Sequence, residues 1–347
     1  MLIKDFINNN LNNTRFLDFP HKKEDFWRHS KLDFLNKEIE STSLKECNTV
    51  FKLNTVFKLN TGVNHLDYGP TQKFTNDKFE LFVLENSKDC KSFFLEKDCE
   101  ITYNIKDYFS NNIIKFIIPL DKKIKVNLDI ENSPESLLNI NHITFKIYGE
   151  LELEITGNNN INNSIISYLN LIINKGAKVT LNITENGSEL NKRFINTIQH
   201  ESSVFIFSYR SLIKSKENND LVINSVIKEP NCILTHDIKV VLFDESKFSC
   251  YGIIDIENNG GGSEADHKQS TIAMSNDVGI NATPILKIHN GNVKCSHGAP
   301  SYYIKDSDRF YMLSRGLTRN QCDRLLLSSF LGKNQKINQL LGDLYEE

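Results

Sequence analysis

One tryptophan, three methionines and seven prolines occur in 347 residues, and long apolar runs are missing. The most apolar stretch, Ile113 to Leu120, is interrupted by Lys115 and is far shorter than the roughly 20 residues of a membrane helix. Charge of one sign is also lacking: 41 basic against 44 acidic residues leave a formal net charge of -3. No basic field is therefore available for nucleic acid or an anionic membrane. The seven cysteines (Cys47, Cys90, Cys99, Cys232, Cys250, Cys295 and Cys322) are odd in number and scattered, and none forms a CxxC. That excludes a dense disulfide framework and argues against a dedicated zinc site. Met1 to Leu11 carries Lys4 and Asp5 among its apolar residues, so it contains no secretory apolar core, and a reduced, cytoplasmic chain is expected.

Enzyme signatures are equally scarce. GxxxxGK[ST], GxSxG and HExxH do not occur. Gly260-Gly261-Gly262 lacks the strand–turn–helix setting of a dinucleotide loop. A carbohydrate-active enzyme would need paired acids converging on an exposed face. Asp244 and Glu245 sit instead at a turn, and no such pair stands out along the chain.

What is abundant is asparagine, about one residue in eight, which AT-rich coding explains for the most part. Residues 1–78 are polar and mixed, with Phe26 and Trp27 as packing residues, and suit short helices. They contain a literal tandem repeat, Asn48 to Leu53 followed by Asn54 to Leu59, whose alternation suits a strand. From 79 to 300 period-two alternation dominates. Ile143, Phe145 and Ile147 precede a break at Gly149; Leu151, Leu153 and Ile155 follow it. Comparable breaks fall at Gly176, near Ser202 and near Ser246. Bent strand pairs recurring about every 22 to 27 residues predict a β-solenoid, in which each coil buries its apolar face only when the next stacks on it. A β-sandwich is the alternative, with turn signals every 8 to 12 residues or so. Asparagine suits stacked turns, where its side chain bonds local backbone and tolerates left-handed geometry. Residues 301–347 predict three helices. The first stops at Arg315-Gly316, the second opens on the capping box Thr318-x-x-Gln321, and the third carries Ile337, Leu340, Leu341, Leu344 and Tyr345.

One segment carries metal chemistry. Cys295 and His297 are two apart and share a face in a strand, and a thiol with an imidazole suits iron or zinc. Two donors do not close a site, so the spacing alone favours a packed cysteine beside a surface histidine. Cys250 falls on the alternating apolar face and reads as core. His267 has no support as a ligand at this level.

Cys295-Ser-His-Gly-Ala299, preceded by Pro284, Leu286 and Val293-Lys294, resembles the signature of the SufB/SufD family of iron–sulfur cluster assembly, on its SufD side. Arg309-Phe-Tyr-Met-Leu-Ser-Arg-Gly-Leu317 is similar to that family's FYLxSRGI motif, and Asp266 to Ser270 to its DxxQT stretch. Glu24 to Leu32 is similar to its EEWRYTDL segment. Lys268 to Met274 lacks the cysteine of SufB's upstream segment, and Cys295 to Ala299 replaces SufB's acidic EHEAT-type motif, so SufD fits better than a SufB-like paralogue. Pro300 and Cys322 depart from the usual pattern.

The resemblance implies a right-handed parallel β-helix between helical ends, with no catalytic residues. It implies a scaffold subunit that pairs with SufB, leaves open a homodimer in isolation, and docks the SufC ATPase through its C-terminal helices. Phe310, Tyr311, Arg315, Gly316, Leu326 and Phe330 would lie on the SufC side. It also implies a transient iron–sulfur cluster shared with SufB and a role in iron entry, with His297 and its neighbour Cys295 as ligands.

Overall fold

The computed structural model describes residues 30, 32–36, 50–53, 79, 91–105, 109–132, 138–159, 161–332 and 335–345. Most of the expected N-terminal helical region therefore lies outside the described residues, including Phe26, Trp27, Cys47, Cys90 and the second copy of the tandem repeat. Within that region Asp33–Asn36 forms a 3-10 turn. Val50–Leu53, in the first copy of the repeat, is a strand paired antiparallel with Cys99–Ile105.

Alternation becomes two parallel sheets wound as a solenoid of about seven coils. Sheet I stacks Cys99–Ile105, Lys123–Asn132, Glu150–Asn158, Lys178–Asn186, Val204–Ile213, Ile233–Leu242, Glu264–Ala273 and Lys294–Gly298, with Ser301–Tyr303 also beside Glu264–Ala273. Sheet II stacks Lys91–Phe94, Phe109–Ile118, Leu138–Ile147, Ser164–Ile173, Leu190–Gln199, Asn218–Ile227, Lys247–Ile256 and Gly279–Ile288. The chain alternates between the sheets, so one residue in two points into a shared interior. Ile143, Phe145, Ile147, Leu151, Leu153 and Ile155 are all buried there. Parallel in-register stacking excludes the sandwich.

The register bears out the expected period in several coils, Lys123 pairing with Glu150 and Ser164 with Leu190, and corrects it in others. Glu150 pairs with Lys178, Ile233 with Glu264 and Lys247 with Gly279, so the coil lengthens towards the C-terminus beyond the 22 to 27 residues read from the sequence. The breaks also belong to two different corners. Gly176, Ser202, Asn231 and Gly262, all with positive φ, stack at one corner, where each amide donates to a carbonyl of the next coil. Ser246 lies at the opposite corner beside Ser215 and Asp244, which is why its offset from Ser202 spans about one and a half coils.

Asparagine is placed by the same stacking. Asn159 donates its backbone amide to Oδ1 of Asn186 at 2.8 Å, and Nδ2 of Asn186 returns to the Asn159 carbonyl at 2.7 Å. Nδ2 of Asn132 adds a third rung to Oδ1 of Asn159 at 3.1 Å. A repeated carboxamide at one corner thus satisfies turn backbone groups that no ladder reaches.

Three helices close the described chain: α1 (Asp306–Ser314), α2 (Arg319–Leu331) and α3 (Gln335–Tyr345). Thr318 caps α2, its Oγ1 accepting from the Gln321 amide while the Gln321 side chain accepts from the Thr318 amide. Leu327 and Leu331 of α2 with Ile337 and Leu341 of α3 cover Leu212, Val241 and Ile272 on the outer face of sheet I. Arg210 donates Nε to the Leu331 carbonyl at 2.9 Å, fastening the end of α2 to the sheet. Arg309 of α1 is buried against Asp323 of α2, and this charge-assisted bond holds the first two helices together.

Candidate functional site at the open end of the solenoid

Among the described residues, no strand stacks on Gly279–Ile288 or Lys294–Gly298. The interior is therefore open at this end, where Ile280, Leu286, Val293 and Cys295 pack against the core but stay partly exposed. Ile288 is exposed as well. An apolar cross-section rimmed by unpaired backbone groups is a surface that folded chains usually cover.

Two inward columns of sheet I end here. One runs Phe205, Leu234, Ala265 and Cys295. The other runs Val126, Leu153, Leu181 and Phe207, then changes chemistry to His236, His267 and His297. The sequence expectation that Cys295 and His297 share a face holds. His297 is exposed and Cys295 half-buried because no described strand stacks above them. A cavity of about 270 Å³ beside Cys295 is lined by Ala265, Asp266 and Ser296, with Asp266 accepting from the Ser296 hydroxyl.

Burial sets the protonation of this end. The Cys295 thiol is pushed up by loss of solvent, so a metal binding there must displace a proton. His267 is pushed down to about 4, first by burial and then by the neighbouring His297, with Asp266 opposing. His236 is held well below its ordinary value by burial and by His267. Their Nδ1 atoms are 3.1 Å apart, and Ser225 Oγ lies 3.2 Å from Nε2 of His236. Two neutral rings joined through Nδ1 share one proton between those atoms, one donating and the other accepting.

Sequence reasoning passed over His236 and His267. The available signal was spacing: His236, His267 and His297 are 31 and 30 residues apart, one coil each. That period is recognisable only once the coil length is known. Among the described residues no three His, Cys, Asp or Glu side chains converge to hold a metal. Cys250 is buried core, as its alternation predicts.

The motif residues of α1 form a separate surface. Phe310 and Tyr311 are 72 % and 64 % exposed, far too open for intramolecular packing residues. Arg315 lies over the Tyr311 ring at 5.1 Å, and Gly316 ends the turn with φ 88°. Leu326 and Phe330 are half-buried, and Phe330 packs against the helix–sheet cluster beneath Lys239. The more exposed leucine of α2 is Leu325.

The acids need one correction. The structure brings Asp129, Glu131 and Glu154 to a groove of about 400 Å³ beside α3, although no such convergence stood out in the linear sequence. Glu154 is register partner to Asn127, so it meets Asp129 and Glu131 diagonally across adjacent coils, a relation no linear spacing shows. Asp129 accepts from the Thr156 hydroxyl and Glu154 pairs with Lys125 at 3.6 Å, so these two carboxylates are already engaged.

Stacked parallel coils with donor side chains on an exposed end place the chain in the β-solenoid class. The family described as SUF system FeS cluster assembly, SufBD core domain, matches residues 116–330, and the chain belongs to it. It is 24 % identical over 148 residues to an iron–sulfur cluster assembly SufBD family protein of Synechocystis sp., covering 42 % of this chain and 33 % of that protein. It is 25 % identical over 92 residues to the iron–sulfur cluster assembly protein SufD of Escherichia coli K12, covering 26 % and 22 %. A SufBD family protein of Staphylococcus saprophyticus is 22 % identical over 104 residues, covering 30 % and 22 %. The aligned segments thus span between about a fifth and a third of these relatives' lengths. Among the described residues no helix is long and apolar enough to cross a membrane.

Proposed function

We infer that the chain is a non-catalytic, SufD-type scaffold subunit that pairs with a SufB-type paralogue through the open end of the solenoid and docks a SufC-type ATPase through α1 and α2. The observation that carries this reading is the uncovered end itself, with His297 and Cys295 on the inward face of the last strand. A second solenoid capping that end would satisfy its backbone edge, cover its apolar residues and supply further donors.

The cluster is cargo on this reading. Neutral imidazole binds iron–sulfur clusters less tightly than thiolate, so a histidine-bearing site divided between two chains favours release. His297 would bind at the junction, with Cys295 beside it once its proton is displaced. Iron enters where the two chains meet, and ATP-driven movement of the ATPase opens or closes that junction. Phe310, Tyr311, Arg315 and Gly316 form the exposed part of the ATPase surface, and Leu326 and Phe330 support it from below.

The test is co-expression of the tagged full chain with a SufB-type paralogue and a SufC-type ATPase, in wild-type and His297→Ala forms. Wild type should retain both partners. The variant should retain them but hold at least about tenfold less iron and sulfide after reconstitution, the scale of a lost metal-site interaction. Failure to retain either partner overturns the scaffold reading, and unchanged iron and sulfide overturns the ligand role.

A further inference from the structure

We propose that His267 is a second, inboard metal-ligating residue, forming with His297 a two-imidazole half-site for a divalent first-row transition metal such as Fe(II). This rests on the reading of the open end as the cluster junction. Four observations carry it.

His267 and His297 are register partners on adjacent parallel strands, both on the inward face. Such neighbours stand about 4.8 Å apart, and nitrogen–metal bonds of about 2.0–2.1 Å let two imidazoles on that spacing share one ion when one ring can turn. His297, exposed at the end, is the ring free to turn.

The second observation is the hydrogen bonding. Nδ1 of His267 is engaged by Nδ1 of His236 at 3.1 Å, and its Nε2 makes no hydrogen bond among the described residues. An imidazole tied at one nitrogen and open at the other is how metal-binding histidines are oriented by their neighbours. When His267 donates Nδ1–H to His236, His236 donates Nε2–H to Ser225, and the lone pair on Nε2 of His267 faces outward for a metal.

Thirdly, space is kept for this ring. A Cβ on Gly252, across the interior, would meet Cε1 of His267 at 2.5 Å and its Nδ1 and Nε2 at 3.1 Å. A side chain on residue 252 would therefore displace the imidazole. Lastly, the column needs no histidine for packing, since Leu153, Leu181 and Phe207 fill the same position in earlier coils. Imidazole appears only in the last three coils, at the end where a metal would arrive. That the half-site is not closed agrees with the lack of a three-donor cluster among the described residues, the remaining donors coming from the partner.

The experiment uses the full chain with Fe(II), ascorbate and peroxide under limiting oxidation, which marks metal-bound histidines as 2-oxo-histidine, read by peptide mass spectrometry. Modification at both His297 and His267 is expected, with His200, remote from this end, as the background control. A Co(II) titration of His267→Phe should show about tenfold weaker binding than wild type. His267→Gln, which keeps a polar side chain, serves if the phenylalanine variant fails to fold. Modification at His297 alone with unchanged Co(II) affinity overturns the inboard ligand and leaves His297 as a ligand. Modification at neither overturns both.

Discussion

Replacing Gly252 by alanine is the sharpest structural probe of the histidine column. The backbone is not the obstacle: Gly252 lies inside the strand Lys247–Ile256 without positive φ, and alanine there is ordinarily favoured by about 0.5–1 kcal/mol. The obstacle is the 2.5 Å approach of the new Cβ to Cε1 of His267, about 1 Å inside normal carbon contact. His267 is only 2 % exposed, so its ring has little room to retreat. Overpacking of this kind costs about 1–3 kcal/mol. A displaced ring also loses the 3.1 Å bond to His236, leaving a buried nitrogen unpaired at about 1–3 kcal/mol. Subtracting the favourable backbone contribution leaves a net destabilisation of about 1–5 kcal/mol, centred near about 3 kcal/mol. The assay is urea denaturation of wild type, Gly252→Ala, His267→Ala and the double variant. The three atoms nearest the new Cβ all belong to His267, so in the His267→Ala background the glycine substitution should cost nothing or stabilise. The cycle should then show coupling of about 2 kcal/mol or more. Equal costs in both backgrounds, to within about 0.5 kcal/mol, would refute the packing argument.

Two further predictions concern buried charge inside the coils. Arg193 donates to Glu185 at 2.6 Å and Tyr209 donates to the same carboxylate at 2.9 Å, all three being buried. Glu185→Leu alone should therefore cost about 3–5 kcal/mol by chemical denaturation, and pairing it with Arg193→Met should recover much of that loss; a single variant as stable as wild type would contradict a buried ion pair. Burial raises the Glu217 carboxyl, against hydrogen bonds from Lys214 and Gly187 that lower it. A raised carboxyl contributes its full stability below its unfolded value and loses it as pH rises, so Glu217→Gln should gain on wild type between about pH 4.5 and 7 and show no gain at pH 4; a gain that grows on acidification would show the opposite sign of shift.

The elements were legible wherever a short pattern specified them. Alternation around Gly149 and Gly176 marks bent strands because successive side chains point to opposite faces. The Thr318–Gln321 box marks the start of α2 because both capping bonds lie within four residues. The period was misread in later coils because Ser202 and Ser246, similar as turn signals, stack at different corners. Phe330 and Leu326 illustrate the limit for the helices. Their motif marks a family surface, but burial is decided by docking: Phe330 packs against the cluster of Leu212 and Val241, while Leu326, half-buried, lies outside that cluster.

By itself the sequence determined a stacked β body with a helical end, a chain without common enzyme signatures, and one thiol–imidazole pair, Cys295 and His297, on a common face. These follow from local rules: alternation, capping, and the two-residue repeat of a strand. Tertiary structure alone decided that this face closes no pocket and stands at an uncovered end. It also decided that His236 and His267 lie beneath His297, that the acids beside α3 converge, and that asparagines one coil apart bond one another. The physical reason is the same in each case. In a solenoid the neighbours that matter are one coil away, and residues 23 to 32 positions apart meet only through register, which every corner resets by its own length.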